Sequence, residues 1–213
     1  MGVRNAVFGA LAVFMPLSVA AAHADPGVQT MKFAVTRDDA PIGTNTIDVE
    51  RKGAETSVQI VTHVAVGMAF ITLYKFDQTE TEHWTNGHLL AMNAVTDDNG
   101  TLHRTNANCH DGKLVVDGDG QVQNLASTVV PASLWNPAML TQNVALNPED
   151  GKLVPVSVVD RGEDSLTVAG HAMRAHHYVI KTIFAEDVWY DDGRLVKLEL
   201  KGADGSTIRY QLV

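Results

Sequence analysis

The stretch Val58-Gln-Ile-Val-Thr-His-Val-Ala-Val-Gly-Met-Ala-Phe-Ile-Thr-Leu-Tyr-Lys-Phe76 decides the fold of this chain. Its apolar side chains recur on one face at a spacing of two residues, which is typical of a half-buried strand. A single strand of this length would extend about 60 Å, longer than strands in globular proteins. Gly67 lies in the middle, where a bend is best tolerated. The pattern predicts a sharply curved strand, or two consecutive strands, around an apolar interior. A helix is the alternative, and the β-branched residues weigh against it.

Turn signals divide the rest of the chain into short alternating runs. Asn-Gly and Asp-Gly pairs supply the positive φ angles that tight hairpins need. They occur at Asn86-Gly87, Asp98-Asn-Gly100, Asp111-Gly112, Asp117-Gly-Asp-Gly120, Asp192-Gly193 and Asp204-Gly205. This punctuation predicts a mainly antiparallel β fold of about ten or more strands, either as a strongly curved open sheet or as a barrel or half-barrel.

One segment, residues 131–142, predicts a short helix. Ser133 or Asn136 fits its N-cap, and Pro137 fits the first helical position. Its apolar side would consist of Leu134, Trp135, Met139 and Leu140. We expect this helix to lie as a lid or plug across the mouth of the curved sheet.

The first 24 residues read as a cleavable secretory signal. Arg4 precedes an uncharged apolar stretch, and Ala22-His-Ala24 is the small-x-small pattern that signal peptidase reads, with cleavage before Asp25. An uncleaved anchor is the alternative, but the apolar stretch is interrupted by Pro16 and falls short of the ~20 residues of a membrane span. We therefore expect an exported, periplasmic protein with a single domain over residues 25–213.

Charge and cysteine content exclude some classes of function. The formal net charge is −9, and no basic run is present to contact nucleic acid or anionic lipid. Cys109 is the single cysteine, so no intramolecular disulfide forms. A small outer-membrane barrel is disfavoured because aromatic residues make up only 6% of the chain.

Two segments, 74–104 and 178–210, share a pattern that suggests an internal repeat. Glu82-His-Trp84 and Asp187-Val-Trp189 each precede a turn that ends in glycine. An apolar strand and a second glycine turn follow in both segments. The pattern predicts two copies of a three-strand meander, and coincidence between ordinary hairpins is the alternative.

The chain resembles a family of exported bacterial proteins classed as a domain of unknown function. The resemblance rests on Pro41-Ile-Gly43, on Val188-Trp-Tyr-Asp191 with the following Gly193-Arg-Leu-Val-Lys-Leu198, and on Asp204-Gly-Ser206. It implies a signal peptide and a curved or barrel-like antiparallel β fold. The family carries over no catalytic residues.

The sequence contains no recognisable catalytic or metal-binding motif. It has no phosphate-binding glycine loop, no G-x-S-x-G turn and no H-E-x-x-H helix. The histidines are scattered rather than set at ligand spacing, so we expect no metal and no cofactor. The carboxylate pairs Glu80 with Glu82 and Asp187 with Asp191 would suit a hydrolase, but paired acids are also common at strand ends.

A non-catalytic binding or carrier protein is the function that the pattern favours. Curved antiparallel sheets often hold a ligand on the concave face, and here the ligand would be apolar and lipid-like. We expect its lining to be drawn from Met68, Phe70, Tyr74, Phe76, Trp84, Trp135, Met139 and Trp189. A solid core built from the same residues is the alternative. An envelope assembly partner acting through protein contacts is a second hypothesis, and an uncharacterised hydrolase is less favoured.

Overall fold

The computed structural model describes residues 27–68 and 71–213. These residues form fifteen β-strands and one 3₁₀ helix. The strands are β1 (Val28–Arg37), β2 (Ala40–Lys52), β3 (Glu55–Met68), β4 (Ile71–Thr85), β5 (His88–Asp98), β6 (Thr101–His110), β7 (Lys113–Gly118), β8 (Gln121–Ala126), β9 (Val144–Leu146), β10 (Leu153–Pro155), β11 (Ser157–Val168), β12 (His171–Lys181), β13 (Ala185–Asp191), β14 (Arg194–Lys201) and β15 (Thr207–Leu212).

Thirteen strands pair into one antiparallel sheet. Its order is β11-β12-β13-β14-β15-β1-β2-β3-β4-β5-β6-β7-β8. The first and last strands of the chain meet in the middle, where β1 pairs with β15. The sheet does not close on itself, so β8 and β11 remain as edges. The predicted antiparallel fold is confirmed, and of the two predicted forms the open sheet is the one observed.

Tight turns explain why consecutive strands pair. Both central residues have positive φ in seven two-residue turns of the described chain, and five of these are Asn-Gly or Asp-Gly pairs, such as Asn86-Gly87 and Asp192-Gly193. This geometry matches the right-handed twist of the flanking strands. The Asn-Gly and Asp-Gly signals of the sequence therefore correctly predicted these hairpins.

The sheet curves around residues 127–156, which we call the inner segment. Tyr190 of β13 donates to the carbonyl of Leu134 at 2.7 Å, and Glu82 of β4 accepts from the neighbouring Trp135 at 2.9 Å. In a flat sheet β13 and β4, six positions apart, would be separated by about 29 Å. Since both strands reach adjacent residues of one segment, the sheet must bend around it.

One apolar core fills the space between the concave face and the inner segment. Alternate residues of the strands point inward, for example Met31, Phe33 and Val35 of β1. The inner segment contributes a matching set of buried side chains to the same cluster: Val129, Val130, Trp135, Met139, Ala145, Leu146, Val154 and Val156. The inner segment thus takes the place of a second sheet.

One local prediction needs correction. The helix expected over residues 131–142 is only a 3₁₀ turn at Pro137–Thr141, although Asn136 caps it by accepting from the backbone N–H of Ala138. A segment this short buries Met139 but does not form the successive i→i−4 hydrogen bonds of an α-helix. Of the stretch 58–76, residues 58–68 lie in β3 and residues 71–76 in β4, in agreement with the predicted alternative of two consecutive strands, and their pairing has a register shift at Val66/Gly67. No helix in the described residues has the length and apolarity to cross a membrane.

The inner segment docks on the sheet through a glycine pair, which gives a test of the packing. A Cβ atom on Gly118 would lie 2.2 Å from the carbonyl oxygen of Asp150 and 2.9 Å from the Cα of Gly151. We expect Gly118→Ala to lower the free energy of unfolding by about 2–3 kcal/mol, because two backbones must separate. Gly100→Ala, at a turn with open space, should cost only about 1 kcal/mol for its positive φ. Chemical denaturation of both variants measures the difference, and equal losses would contradict this packing.

Candidate functional site

A cavity of about 270 Å³ lies between the concave face and the inner segment. Strands β1–β4 form one side and β13–β15 the other, while the inner segment closes it from within the curve. Its volume is at the lower end of the range for small-molecule sites. The lining residues are Phe33, Asn45, Ile47, Ile60, Thr62, Phe76, Gln78, Glu80, Ala132, Ser133, Leu134, Asn147, Pro148, Glu149, Thr182, Ile183, Phe184, Glu186, Leu195, Leu198, Leu200 and Tyr210.

Beside the cavity, the fully buried carboxylate of Glu82 joins β4 to the inner segment. It accepts hydrogen bonds from the indole Nε1 of Trp84 at 2.7 Å and of Trp135 at 2.9 Å. Ser133 donates a third through its hydroxyl. The two indoles meet edge to face with ring centroids 5.9 Å apart. Three donors compensate for the desolvation of one carboxylate, which is the condition for burying such a group.

Glu80 is the next inward-facing residue of β4 and lines the cavity. Its side chain is 1% exposed, and its Oε1 has no hydrogen-bond partner among the described residues. Burial raises the pKa of Glu80 well above its ordinary value, and the neighbouring Glu82 carboxyl raises it further by its charge and by a hydrogen bond. Burial also raises the pKa of Glu82, but its hydrogen bonds with Glu80, Ser133 and the two indoles oppose that rise. We therefore assign the shared proton to Glu80 and the negative charge to Glu82.

A second carboxyl group, Glu186 of β13, lies in the opposite wall. Loss of solvent raises the pKa of Glu186 to about 7. Tyr210 of β15 lines the same wall, and desolvation, reinforced by the charge of Glu186, raises the pKa of its phenol to about 12. Glu149 of the inner segment adds a third lining carboxyl, whose pKa is also raised, first by desolvation and then by Asp98. The cavity thus combines apolar walls with acids that resist ionisation.

Polar side chains gather on β2, β3 and β4, and apolar ones on β14. The amide of Asn45 donates to the hydroxyl of Thr62 at 2.8 Å, and both are buried. Opposite them, β14 presents Leu195, Leu198 and Leu200. A molecule in the cavity would therefore meet both hydrogen-bonding groups and hydrocarbon, and the lining residues of β14 are all leucines.

The loop between β12 and β13 exposes apolar side chains beside the cavity. Ile183 is 61% exposed and Phe184 is 56% exposed, yet both also belong to the lining. Large exposed apolar side chains beside a cavity are typical of sites that apolar molecules enter.

Of the residues predicted to line a ligand site, Phe76 lines this cavity. Trp84, Trp135 and Met139 are buried in the core next to it, and the two tryptophans act on Glu82. Tyr74 is partly exposed and does not belong to the lining. The predictions for Phe70 and for the side chain of Met68 lie outside the part of the chain that the structure describes.

Trp189 points to the opposite face of the sheet. Its neighbours Val188 and Tyr190 enter the main core, whereas Trp189 packs with Val168, Ala175 and Val196 in a second cluster. There its ring stacks on His177 and lies beneath the ammonium group of Lys197. The two segments compared as a repeat do both form bulged hairpins, but Trp84 faces inward and Trp189 faces outward.

In the sequence, Glu80 and Glu82 suggest only a hydrolase pair. Their spacing carries a sharper signal for their position, because both acids alternate with Trp84 on the inward face of an amphipathic strand. Both oxygens of Glu82 are engaged by donors and only Glu80 reaches the cavity, so the pair does not flank a substrate as glycosidase carboxylates do. No group of three potential metal ligands occurs in the described ranges, 27–68 and 71–213.

This open, barrel-like antiparallel sheet with a filled concave face agrees with comparisons to known proteins. The chain belongs to the family described as Domain of unknown function (DUF6134), whose model matches residues 33–213. Membership of a domain-of-unknown-function family, expected from the sequence, is thereby confirmed.

A solved structure has a similar fold. It is the crystal structure of a β-barrel-like protein of domain of unknown function DUF1849 from Brucella abortus, with a TM-score of 0.61 and 14% sequence identity. The likeness covers 87% of this chain and 95% of that chain. At this identity it shows the fold alone. No curated protein matches the chain.

The Glu82 network predicts a large effect of a small substitution. In Glu82→Gln one acceptor oxygen is replaced by an NH₂ group, which would face the indole and hydroxyl donors. We expect the free energy of unfolding to fall by about 3 kcal/mol and the melting temperature by about 10 °C. Glu55→Gln, at an exposed position on β3, is the matched control and should leave the melting temperature unchanged. A tolerated Glu82→Gln would show that the hydrogen bonds from Ser133 and Trp135 do not hold the inner segment.

Glu80 predicts a pH dependence of stability. Because the pKa of Glu80 is raised in the folded state, the stability that protonated Glu80 contributes is fully present below pH 4.5. This stability is lost as the pH rises through the pKa of the folded state. Glu186 adds a loss of the same sign between about pH 4.5 and 7. Glu80→Gln keeps the neutral form, so it should match the native melting temperature at pH 4 and exceed it by several degrees at pH 8. Thermal scans across this range would contradict the assignment if Glu80→Gln lost stability as steeply as the native chain.

Proposed function

We propose that this chain is an exported, periplasmic, non-catalytic binding or carrier protein that holds an apolar small molecule in its inner cavity. The observation that carries the proposal is the cavity itself, set between the concave sheet and the inner segment. The export signal expected over residues 1–24 supports the periplasmic location, although those residues lie outside the described part of the chain.

The composition of the cavity supports an apolar ligand. Seven leucine, isoleucine and phenylalanine side chains from five strands line its walls, and an apolar molecule that buries its surface there gains about 25 cal/mol per Å². Ile183 and Phe184 provide an apolar approach at the surface. The inner segment is held by hydrogen bonds to β4, β6, β8 and β13, so the site is preformed.

Partner binding through the β11 edge of the sheet has less support. The edge strand β11 has a register shift at Asp160/Gly162 and carries Arg161, Glu163 and Asp164. Bulges and charges on an edge oppose the addition of another strand. The hypothesis of an envelope assembly partner therefore stays a prediction that pull-down experiments can test.

Filling the cavity should abolish binding. Ala132 belongs to the lining, whereas Ala138 lies exposed on the 3₁₀ helix of the same segment. We expect the native chain to bind 1-octanol in isothermal titration calorimetry, Ala132→Phe to weaken binding at least tenfold, and Ala138→Phe to leave it unchanged. Mass spectrometry of the chain purified from its own cells should also detect a bound apolar molecule.

Two results would contradict the proposal. One is the absence of both 1-octanol binding and any co-purified apolar molecule. The other is equal binding by Ala132→Phe and the native chain. Recovery of the chain in cytoplasmic rather than osmotic-shock fluid would overturn the proposed location separately.

A further inference from the structure

We infer that the ligand is an aliphatic amine, whose nitrogen binds at Glu80 and whose hydrocarbon tail lies against β14. This inference rests on the proposed function and names its ligand class. The starting observation is Glu80, which belongs to the cavity lining and whose buried Oε1 has no hydrogen-bond partner among the described residues. A buried oxygen without a partner is costly, and a ligand N–H that reaches it removes that cost.

The sign of charge around the cavity selects the head group. Three acids from three separate elements line it: Glu80 on β4, Glu149 on the inner segment and Glu186 on β13. Within the described residues no lysine, arginine or histidine belongs to the lining. An anionic head group, such as that of a fatty acid, would be desolvated among these acids without any cation to offset its charge.

An amine fits the same acids in either protonation state. As an ammonium ion, the amine pairs with a glutamate that has released its proton to solvent. As a neutral amine, it donates N–H hydrogen bonds to the Glu80–Glu82 pair, which holds one proton. Desolvation raises the pKa values of all three lining acids, and a bound ammonium would oppose that effect. An alcohol can donate one hydrogen bond but brings no charge, so it should bind more weakly than an amine.

The dimensions of the cavity limit the tail. At ~30 Å³ for each water-sized group, 270 Å³ holds roughly nine non-hydrogen atoms. Octylamine has that size, and with its nitrogen at Glu80 its chain would lie against Leu195, Leu198 and Leu200. Octylamine, 1-octanol and octanoate therefore form a series of eight-carbon probes that differ in the head group.

Calorimetric titration of the full chain with these three probes, at pH 7 and ~0.15 M salt, tests the inference. We expect one site that binds octylamine at least tenfold more tightly than octanoate, with 1-octanol between them. Glu80→Gln should reduce octylamine affinity at least tenfold and change 1-octanol affinity less than threefold. Glu55→Gln, an exposed glutamate removed from the cavity, should bind as the native chain does.

The outcomes separate this inference from the proposed function. Equal affinities for the three probes, or tightest binding of octanoate, would overturn the amine while leaving an apolar carrier in place. Octylamine binding that survives both Glu80→Gln and Ala132→Phe would show adsorption to the acidic surface and would also overturn it. Failure of all three probes would overturn the proposed function as well. Thermal melting of Glu80→Gln, expected to be at least as stable as the native chain at this pH, excludes misfolding as the cause of a loss.

Discussion

The carboxylate of Glu82 is the interaction on which the rest of the structure depends. It lies on a central strand, yet its three donors include two on the inner segment, Ser133 and Trp135. A buried charge is stable only when its hydrogen bonds are satisfied, so the position of this one group fixes the inner segment against β4. Tyr190 then brings β13 to the adjacent Leu134, and the sheet is held in its curve.

The same arrangement explains why the sheet stays open and still has a core. A closed barrel of thirteen strands would enclose a wide interior that the side chains of its own strands could not fill. Here the inner segment occupies that space, and its buried side chains from Val129 to Val156 complete the cluster begun by the strands. The filling is incomplete beside Glu80, where the cavity remains. The packed core and this cavity thus both depend on the inner segment.

Much of this architecture was predictable from local patterns. The period of two in stretches such as 58–66 predicts strands, and the Asn-Gly and Asp-Gly pairs predict the hairpins between them. Both signals are contained in a few neighbouring residues, because they depend on local backbone geometry. The lining of the cavity was less predictable, since Phe76 was anticipated but Glu80 and Glu186 were not assigned to it. Trp84 and Trp189 show why, because equivalent motifs in two hairpins face opposite sides of the sheet.

The sequence by itself determined an antiparallel β chain of many short hairpins, its turn positions and the family to which it belongs. These properties follow from residues that are close in the chain. Only the tertiary structure decided which face of each strand turns inward, that residues 127–156 fill the curve, and that Glu82 of β4 accepts a hydrogen bond from the indole of Trp135. Those features depend on contacts across more than fifty residues of chain, where the energy of packing and hydrogen bonding, rather than local preference, selects one arrangement.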